Sequence, residues 1–266
     1  MSDAIRLDSY LVQQGYASGR EKAKELLAQG YVTVDGLVVT KAATRIGTDN
    51  TVCCAAPAAK YVGRGGYKLE KALDMAALSL AGCVCMDVGA STGGFTDCML
   101  QHGASRVYAV DVGHDQLHPT LRDDPRVVCL EGTDVRSDTL RQTVAAGSVD
   151  VVSVDVSFVS LENVLPAILP YMTSDAVLVC LIKPQFEAGR AGIGKNGVVK
   201  DQKVHVRVLE RVTAAFQQWR LNVKQITFSP ITGGEGNIEY LAVLGSGDAV
   251  AVDVKKLVTE AFAALK

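Results

Sequence analysis

The sequence predicts an α/β fold with a mostly parallel, seven-stranded sheet, and a small α+β module in front of it. Three observations support this prediction. From residue 83 onward, short apolar runs alternate with helical segments, as in parallel sheets that helices cover on both faces. A glycine-rich turn follows the first of these runs, at the position where Rossmann-like sheets bind nucleotide-like ligands. The first fifty residues show a different order, with two helices followed by a hairpin.

The N-terminal module is predicted to span residues 1–55. Its first helix covers residues 6–14, and its second helix begins at Ser18, which can form a capping box with Glu21. Asp35-Gly36 separates two short alternating runs, and this dipeptide is a strong signal for a hairpin. Small residues, Pro and Gly then indicate a linker over residues 56–66.

The second domain is predicted to span residues 67–266. Its strands are expected at residues 83–88, 106–111, 126–130, 149–155, 176–182, 221–228 and 238–244. Its helices are expected at residues 67–78, 93–102, 115–122, 137–145, 160–169, 203–220 and 252–265. The last of these helices is amphipathic, which is typical of a helix that buries one face in a core.

The composition limits the classes of partner. With 48% hydrophobic and 21% charged residues, the 266-residue chain is expected to fold as a globular protein. A net charge of −2 means that any RNA-binding surface must be a local patch. Seven cysteines without a C-x-x-C pair predict reduced thiols and no metal site. The longest apolar run, Ala176 to Ile182, is too short to span a bilayer, which takes a helix of ~20 residues. We therefore expect a cytoplasmic protein with no membrane partner, and we make no prediction of its oligomeric state.

The residue types of the glycine loop, residues 89–94, limit the class of ligand that it can bind. Ala90-Ser91 replaces the middle glycine of a dinucleotide loop, and no P-loop lysine lies nearby. Asp111 follows Asp87 by 24 residues (111 − 87), close to the ~20-residue spacing of a ribose-binding acid. Two carboxylates favour a cationic adenosine ligand, so S-adenosylmethionine is the expected cofactor, although an ordinary tight turn is the alternative. The candidate contacts are Asp87, Gly89, Ser91, Thr92, Gly93, Gly94, Phe95 and Asp111.

Charged residues are predicted at the ends of several helices and strands on the same side of the sheet: Lys68, Asp155, Lys183 and Glu239. A charge in such a place must be paired or must face a cleft. Taken singly, each also fits a surface charge at the end of a helix or strand. Their occurrence together at the ligand side is what indicates a site.

Residues 68–244 resemble an FtsJ-type methyltransferase, through Gly65-Gly66-Tyr67-Lys68-Leu69, Asp87 to Phe95 and Lys183-Pro-Gln-Phe-Glu187. This resemblance implies that Lys68, Asp155, Lys183 and Glu239 form a catalytic Lys-Asp-Lys-Glu tetrad. It also implies that Asp134 contacts adenine, while an N-cap for the next helix is the alternative role of that residue.

The first fifty residues resemble the S-four domain, an RNA-binding module, through Arg6-Leu7-Asp8, Ser18 to Ala23, Gly30-Tyr31-Val32 and Val34-Asp35-Gly36. An S-four domain joined to an FtsJ-type domain is similar to the TlyA family. Members of that family methylate ribose 2′-hydroxyls of ribosomal RNA and are often called hemolysins. The resemblance therefore implies ribosomal RNA or ribosomal subunits as the partner and cytidine as the methylated nucleotide.

The resemblance also implies RNA-phosphate contacts from basic residues of the first module: Arg6, Arg20, Lys22, Lys24 and Lys41. A solvated helix face is the alternative. Additional phosphate contacts are expected from Arg64, Arg136, Arg190 and Lys195. The last two lie in the glycine-rich stretch 184–200, which either closes over RNA or forms an ordinary surface loop.

The tetrad suits a ribose hydroxyl because that group becomes a good nucleophile only when it loses its proton. A lysine can accept a proton only as the neutral amine, and a second lysine in the same cleft favours that form. We hypothesise that Lys183 deprotonates or steers the hydroxyl and that Lys68, Asp155 and Glu239 position it. Enzymes that methylate base amino groups often carry an Asn/Asp-Pro-Pro-aromatic turn after the fourth strand. This chain has Asp155-Val-Ser-Phe158 there instead, which supports an oxygen as the methylated atom.

Two alternatives belong to other functional classes. A membrane-active hemolysin would need an insertable segment, for which the helix at 252–265 is the best candidate. A non-catalytic ribosome assembly factor would use the same fold only to bind RNA, and an intact tetrad argues against it. A nicotinamide dehydrogenase is disfavoured by the missing middle glycine.

Overall fold

The computed structural model describes residues 4–17, 19–55, 59–189, 194 and 197–265. The chain divides into two compact units, Met1–Ala59 and Lys60–Lys266. The division falls within the stretch 56–66 that was predicted as a linker. We call these the first unit and the second unit.

The first unit combines two helices with short strands: β1 (Ile5–Arg6), α1 (Leu7–Gln13), α2 (Arg20–Ala28), β2 (Val32–Val34), β3 (Leu37–Val38), β4 (Arg45–Ile46) and β5 (Val52–Cys54). Strand β1 pairs with β4, and the order β3-β2-β5 forms an antiparallel sheet. Leu7, Leu11 and Leu27 are fully buried between the helices and strands. The core is small, as expected for so short a segment.

The predicted hairpin forms between β2 and β3. Asp35 and Gly36 have φ angles of 50° and 80°, as the two central residues of a type I′ turn require. The start of α2 differs from the prediction. Its N-cap is Gly19, and Glu21 pairs with Lys24 at 2.5 Å, while Ser18 lies outside the described residues.

The second unit alternates strands and helices: α3 (Gly65–Ala76), β6 (Val84–Val88), α4 (Gly94–Gln101), β7 (Arg106–Val110), α5 (Pro119–Arg122), β8 (Val127–Leu130), α6 (Asp138–Thr143), β9 (Val149–Val154), α7 (Leu161–Ile168), β10 (Met172–Ile182), α8 (Pro184–Glu187), α9 (Gln202–Phe216), β11 (Asn222–Phe228), β12 (Tyr240–Gly245) and α10 (Val254–Ala264).

Seven strands of the described residues form one sheet with the order β11-β12-β10-β9-β6-β7-β8. The five strands from β10 to β8 in this order are parallel, and β12 is antiparallel to both of its neighbours. The predicted fold class, a mostly parallel seven-stranded sheet after a small α+β domain, is confirmed. From β6, the chain adds β7 and β8 on one side and β9 and β10 on the other. The carboxyl ends of β6 and β9 therefore border a crevice, the usual ligand site of such sheets.

Several boundaries differ from the predictions. Helix α3 begins at Gly65 rather than Tyr67, because two glycines let its first turn pack against Phe95 and Tyr61. Helix α5 is a single turn that begins at Pro119, and the residues before it form a loop held by Glu131. Strand β10 begins at Met172, with a register shift before Val177.

Hydrophobic clusters cover both faces of the large sheet. Along β6, Cys85 belongs to one cluster and Met86 to the other, because successive strand residues point to opposite faces. Helix α10 buries its apolar side in one of these clusters through Val254, Leu257, Val258, Ala261 and Phe262. That burial explains the amphipathic pattern of residues 252–265 and leaves its apolar face covered. In the part of the chain that the structure describes, no helix has the length and apolar character needed to span a membrane.

Candidate functional site

A cavity of about 510 Å³ lies at the carboxyl ends of the central strands. Its polar lining includes the carboxylates of Asp111 and Asp134, which follow β7 and β8, and of Asp155, which follows β9. Its apolar lining includes Val112, Val135, Val156 and Phe158. Carboxylates beside apolar walls can hold a ligand that combines a flat ring with hydroxyl groups or a positive charge.

A second cavity of about 240 Å³ adjoins the first. Both are lined by Gly89, Ser91 and Asp155. The smaller cavity is otherwise formed by the start of α3, the start of α4 and the 231–234 loop. Its lining includes Arg64, Lys68, Thr92, Gly94, Phe95 and Thr232. The two cavities together form an elongated site that passes the end of β9.

Gly89 is required by the protein itself. Its φ angle is 86°, and a Cβ atom there would lie 2.5 Å from the carbonyl oxygen of Asp155. The glycine therefore lets the ends of β6 and β9 approach each other, in addition to any approach by a ligand. Ser91 takes a positive φ of 48° in place of the missing middle glycine. Gly93, another predicted contact, faces Leu117 and Leu121 rather than the cavities.

Asp111 is tied to the glycine loop. Its Oδ2 accepts a hydrogen bond from the Ser91 amide at 2.8 Å, and its Oδ1 accepts one from the Gly113 amide at 2.7 Å. A carboxylate has about four acceptor sites, so two hydrogen bonds leave capacity for donors from a ligand. This geometry fits a carboxylate that receives ribose hydroxyl groups.

Asp87 is not placed to contact a cofactor, which corrects the prediction. Its side chain is fully buried, and its two oxygens accept hydrogen bonds from the hydroxyls of Thr96 at 2.7 Å and Ser153 at 2.8 Å. Burial raises the pKa of Asp87 to about 6, with a smaller contribution from Asp155, while the two hydroxyls oppose the shift. Asp87 connects β6 to α4 and β9 beneath the glycine loop.

The four predicted catalytic residues lie in one connected chain of contacts. Lys183 Nζ lies 2.7 Å from Asp155 Oδ1, and Lys68 Nζ lies 3.9 Å from Asp155 Oδ2. Lys68 Nζ also donates to Glu239 Oε2 at 2.6 Å. Asp155 thus stands between the two lysines. Lys68, Lys183 and Glu239 are buried, with exposed fractions of 8%, 8% and 3%, so these charges depend on one another for solvation.

The four tetrad residues do not line the cavities equally. Lys68 and Asp155 line the smaller cavity, and Asp155 also lines the larger one. Lys183 reaches the site through its partners Asp155 and Ser157, whose hydroxyl accepts a hydrogen bond from Nζ at 3.0 Å. Ser157 and Gln185 occur in the sequence motifs but were not predicted as site residues. Gln185 Nε2 lies 3.4 Å from Glu239 Oε1. The only sequence signal for a role of Ser157 or Gln185 in the site was that they lie two residues after Asp155 and Lys183, respectively.

Phe158, the aromatic residue of the Asp155-Val-Ser-Phe158 motif, was not predicted as a site residue. Its side chain is 90% exposed at the rim of the larger cavity, and its φ angle is 65°. A positive φ is unfavourable for a bulky side chain. The ring of Phe186 packs beside this exposed ring, with centroids 5.0 Å apart and planes at 49°. An exposed aromatic ring held beside a cleft offers a stacking surface.

Asp134 and Arg136 form an ion pair at the larger cavity, with Nη2 and Oδ2 2.6 Å apart. The side-chain hydrogen bond from Arg136 lowers the pKa of Asp134 to about 2. The alternative role of Asp134 as a helix N-cap is wrong, because Ser137 caps α6 by accepting from the Leu140 amide. Asp134 remains available to a ligand amino group at the cavity wall.

The basic residues of the first unit differ in their partners. Arg6 binds Asp8 through two hydrogen bonds of 3.0 and 2.9 Å, and Arg20 Nη2 binds the same carboxylate at 2.9 Å. The hydrogen bond from Arg6, with that from Arg20, holds the pKa of the buried Asp8 far below its usual value. Lys22 and Lys24 form exposed ion pairs with glutamates of the same helix. Lys41 is exposed.

The remaining predicted RNA contacts lie in the second unit. Arg64 donates to the carbonyl oxygen of Thr232 at 3.1 Å and lines the smaller cavity, and Arg136 lines the larger one. Arg190 and Lys195 lie outside the described residues. Within the described ranges, no group of three or more His, Cys, Asp or Glu side chains could hold a metal ion.

Comparison with known proteins defines the family. The sequence pattern of the FtsJ-like methyltransferase family matches residues 61–246. The chain belongs to this family. The S4 domain pattern, which is the S-four domain of the sequence analysis, matches residues 5–52. The predicted combination of an S-four domain with an FtsJ-like methyltransferase domain is therefore confirmed.

Relatives of this FtsJ-like methyltransferase match almost from end to end. The 16S/23S rRNA (cytidine-2′-O)-methyltransferase TlyA of Mycobacterium tuberculosis (strain ATCC 25618 / H37Rv) is 40% identical over 258 residues, which cover 97% of this chain and 96% of the relative. Hemolysin A of Brachyspira hyodysenteriae is 40% identical over 242 residues, which cover 90% of this chain and 98% of the relative.

Solved structures agree with the methyltransferase fold. A Streptococcus thermophilus protein, called a hemolysin, has a TM-score of 0.76 and 40% identity, and the match covers 99% of this chain and 98% of that one. An S-adenosylmethionine dependent methyltransferase from Mesorhizobium loti has a TM-score of 0.51 at 12% identity. That match covers 69% of this chain and 100% of the other, and it concerns the fold alone.

Proposed function

We propose that this protein transfers a methyl group from S-adenosylmethionine to a ribose 2′-hydroxyl of ribosomal RNA, with cytidine as the target nucleotide. The observation that carries the proposal is the tetrad. Two lysines share the carboxylate of Asp155 beside two connected cavities at the carboxyl ends of the strands. The TlyA relative from Mycobacterium tuberculosis, called a cytidine-2′-O-methyltransferase, supports the choice of substrate.

The residues of the larger cavity fit S-adenosylmethionine. Asp111 has free acceptor capacity for the ribose hydroxyls, and Asp134 offers an acceptor for the adenine amino group. Val112, Val135 and Val156 offer apolar walls for the adenine ring. The smaller cavity would take the amino acid end, between the glycine loop and Arg64. When bound, S-adenosylmethionine supplies a methyl group activated by its positively charged sulfur.

The tetrad residues would manage the proton of the ribose hydroxyl. That oxygen gains the methyl group and releases its proton. Lys183 is the group that we assign to steer or accept this proton. Asp155 holds Lys183 on one oxygen and lies close to Lys68 on the other. Glu239 fixes Lys68 by a 2.6 Å hydrogen bond. Fixed positions matter because alignment of the reacting atoms supplies much of the rate in group transfer.

Phe158 and the S-four domain would provide the RNA contacts. An unpaired base can stack on the exposed ring of Phe158, and aromatic stacking is a common mode of single-stranded RNA recognition. The arginines of the first unit, Arg6 and Arg20, would contact phosphates and so fix the position of the RNA without reading its sequence. A ribosomal substrate would place the reaction in the cytoplasm, with ribosomal subunits as the partner.

The test of this function is methyl transfer to ribosomal RNA in vitro. Purified protein is incubated with methyl-labelled S-adenosylmethionine and with ribosomal subunits from a strain that lacks the gene. The labelled nucleosides are then identified by mass spectrometry. We expect 2′-O-methylcytidine. Label only in base-methylated nucleosides would refute the proposal, as would the absence of any label.

Lys183→Ala tests the role of the tetrad in the same assay. We expect a loss of rate of ~10²–10⁴-fold, as for removal of a group that handles a proton, while cofactor binding by calorimetry stays within about twofold. Lys203→Ala, which removes an exposed lysine of α9, is the matched control and should keep the wild-type rate. Unchanged turnover in Lys183→Ala would contradict the assignment.

A further inference from the structure

Two short segments with functional side chains face each other across the ends of β9 and β10. Residues 157–161 follow β9, and residues 183–187 follow β10 and contain α8. We call this pair of segments the clasp. It carries Lys183 of the tetrad and the exposed ring of Phe158.

Three cross-contacts hold the clasp in a fixed register. Lys183 Nζ donates to Ser157 Oγ at 3.0 Å at one end. The rings of Phe186 and Phe158 pack with centroids 5.0 Å apart in the middle. Glu187 closes the other end, where its two carboxylate oxygens bind the start of α7. The contacts therefore follow the same order along both segments.

Glu187 makes the most hydrogen bonds of these residues, although it lies outside both cavities. Its side chain is 2% exposed. Oε1 accepts from the Leu161 amide at 2.8 Å, and Oε2 accepts from the Ser160 hydroxyl at 2.8 Å. A carboxylate at the start of a helix is favourable because the first amides of the helix lack partners and the helix dipole is positive there.

Arg211 of α9 secures Glu187 from a third direction. Its Nη2 donates to Glu187 Oε2 at 2.9 Å and to the Glu187 carbonyl oxygen at 2.8 Å, and its other terminal nitrogen binds Glu162. A buried carboxylate without such partners would be strongly destabilising. The arginine thus pairs with the buried carboxylate of Glu187 and also fixes the backbone of the 183–187 segment.

The strained position of Phe158 indicates that the clasp has a purpose beyond stability. A large apolar side chain that is 90% exposed, on a backbone with φ of 65°, gains little from burial and costs conformational energy. Such a residue persists only where its surroundings hold it in place. The surroundings here are Phe186 and the start of α7, where Glu187 binds the N-cap residue Ser160 and the Leu161 amide.

We propose that Glu187 is a positioning residue for methyl transfer. Its carboxylate, held by Arg211, locks the two segments of the clasp together, so that the side-chain nitrogen of Lys183 and the ring of Phe158 keep a fixed distance. The ring of Phe158 would align the target base, while Lys183 contacts the ribose hydroxyl of the same nucleotide. This inference rests on the proposed function.

The test uses Glu187→Gln in the full-length protein. Glutamine keeps the size and can still accept from Leu161, but its amide nitrogen would face the Arg211 donor. At a temperature where circular dichroism shows the variant folded, we expect kcat for ribosomal RNA to fall at least about tenfold. We expect the Kd for S-adenosylmethionine to stay within about twofold, because Glu187 does not line the cofactor cavity.

A double variant separates positioning from general stability. If Glu187 acts through Phe158, Phe158→Ala should lower activity, and adding Glu187→Gln should then lower it less than it does in the wild-type background. Fully additive losses would overturn the proposal, and so would a parallel loss of cofactor affinity. Arg211→Lys, which keeps a positive charge beside Glu187 but cannot make all of the arginine's hydrogen bonds, carries the same test if Glu187→Gln does not fold.

Asp124→Asn is the matched control. The Asp124 carboxylate also binds a backbone amide and a guanidinium group, both of Arg126, but it does not line either cavity. The substitution should lower stability and leave kcat unchanged. An active wild-type protein with unimpaired Glu187→Gln would refute only this inference. An inactive wild-type protein would refute the proposed function and the inference with it.

Discussion

Asp87 illustrates how a residue can serve a ligand site without touching the ligand. Its carboxylate is fully buried, with one hydrogen bond to α4 and one to β9. Because water cannot solvate the charge, burial raises the pKa of Asp87 to about 6. Thr96 and Ser153 partly compensate for the lost water. The residue ties together the three chain segments that carry the glycine loop and Asp155.

The raised pKa of Asp87 predicts a specific dependence of stability on pH. The unfolded chain ionises this group near ~4 and the folded chain near about 6, so the folded state binds the proton more tightly. The contribution of Asp87 to stability is therefore present below pH ~4 and is lost as the pH rises through about 6. Between about pH 4.5 and 7.5 the loss should be roughly 2 kcal/mol.

Asp87→Asn tests this dependence, because asparagine does not titrate and can still bind both hydroxyls. Relative to wild type, the free energy of unfolding of the variant should rise by roughly 2 kcal/mol between those two pH values. Urea unfolding is followed by the fluorescence of Trp219, the single tryptophan. Asp123→Asn, at an exposed position, is the control. Parallel curves for wild type and Asp87→Asn would contradict the prediction.

Phe158 should contribute to RNA recognition rather than to stability. Because its ring is exposed, Phe158→Ala should leave the unfolding free energy within about 0.5 kcal/mol of wild type. Loss of base stacking should weaken transition-state binding of ribosomal RNA by roughly 1–3 kcal/mol, measured from kcat/KM. Phe158→Tyr keeps the aromatic face and should retain activity. Equal kcat/KM for the alanine and tyrosine variants would exclude a stacking role.

The loop between β6 and α4 is held by contacts between secondary structure elements as much as by its own glycines. Gly89 meets the carbonyl oxygen of Asp155, and Ser91 binds Asp111, so β6, β7 and β9 converge on one turn. Glycine in such a loop is usually explained by the close approach of a ligand. In this protein the Asp155 carbonyl oxygen, at the end of β9, also lies where a side chain at position 89 would be.

Gly89→Ala should therefore cost more than the backbone conformation alone. Gly147 has a comparable positive φ of 62° with nothing near its added methyl group, whereas the methyl group at Gly89 would lie 2.5 Å from backbone. We expect Gly147→Ala to lower the unfolding free energy by about 1–2 kcal/mol and Gly89→Ala to lower it clearly further. Gly89→Ala should also weaken S-adenosylmethionine binding in calorimetry. Equal effects of the two substitutions would show that the contact with Asp155 is unimportant.

Because the chain as a whole carries no net positive charge, an RNA-binding surface has to be a local cluster of basic residues. With a net charge of −2, attraction to RNA cannot come from the protein as a whole. In the first unit, Asp8 holds Arg6 and Arg20 side by side while 41% and 56% of their side chains stay exposed. The pairs that Lys22 and Lys24 form with glutamates reduce the positive charge that this helix offers.

Arg20→Ala should lower the affinity for ribosomal RNA and reduce its dependence on salt. Arg6 still pairs with Asp8 in this variant, so the first unit should remain folded. Loss of one phosphate contact should reduce the slope of log K against log salt concentration by roughly 0.7–0.9. Arg141→Ala, which removes an exposed arginine of the second unit paired with Asp138, is the control. An unchanged slope for Arg20→Ala would argue against a phosphate contact.

The sequence was sufficient to predict the architecture and to single out four charged residues that lie in contact with one another in the structure. Alternation of apolar runs and helical segments is a local property, so the seven strands could be predicted within a few residues. Strands of this kind bring charges at their carboxyl ends to one edge of the sheet, and Asp155 and Lys183 are such charges. Lys68 and Glu239 were singled out in the same way, as charges at the end of a helix and of a strand. The resemblance to FtsJ-type methyltransferases then grouped the four residues as a tetrad.

The roles of Asp87, Phe158 and Glu187 depend on contacts between segments that are distant in the chain. A carboxylate next to a glycine loop looks the same in sequence whether it faces a ligand or two buried hydroxyls. Neither the positive φ of Phe158 nor the hydrogen bond from the Leu161 amide of α7 to Glu187 follows from local composition. Strand order decides which loops meet, and packing decides which side chains water can reach. Periodicity therefore predicts strands and helices, whereas the partners of a polar side chain are set by folding.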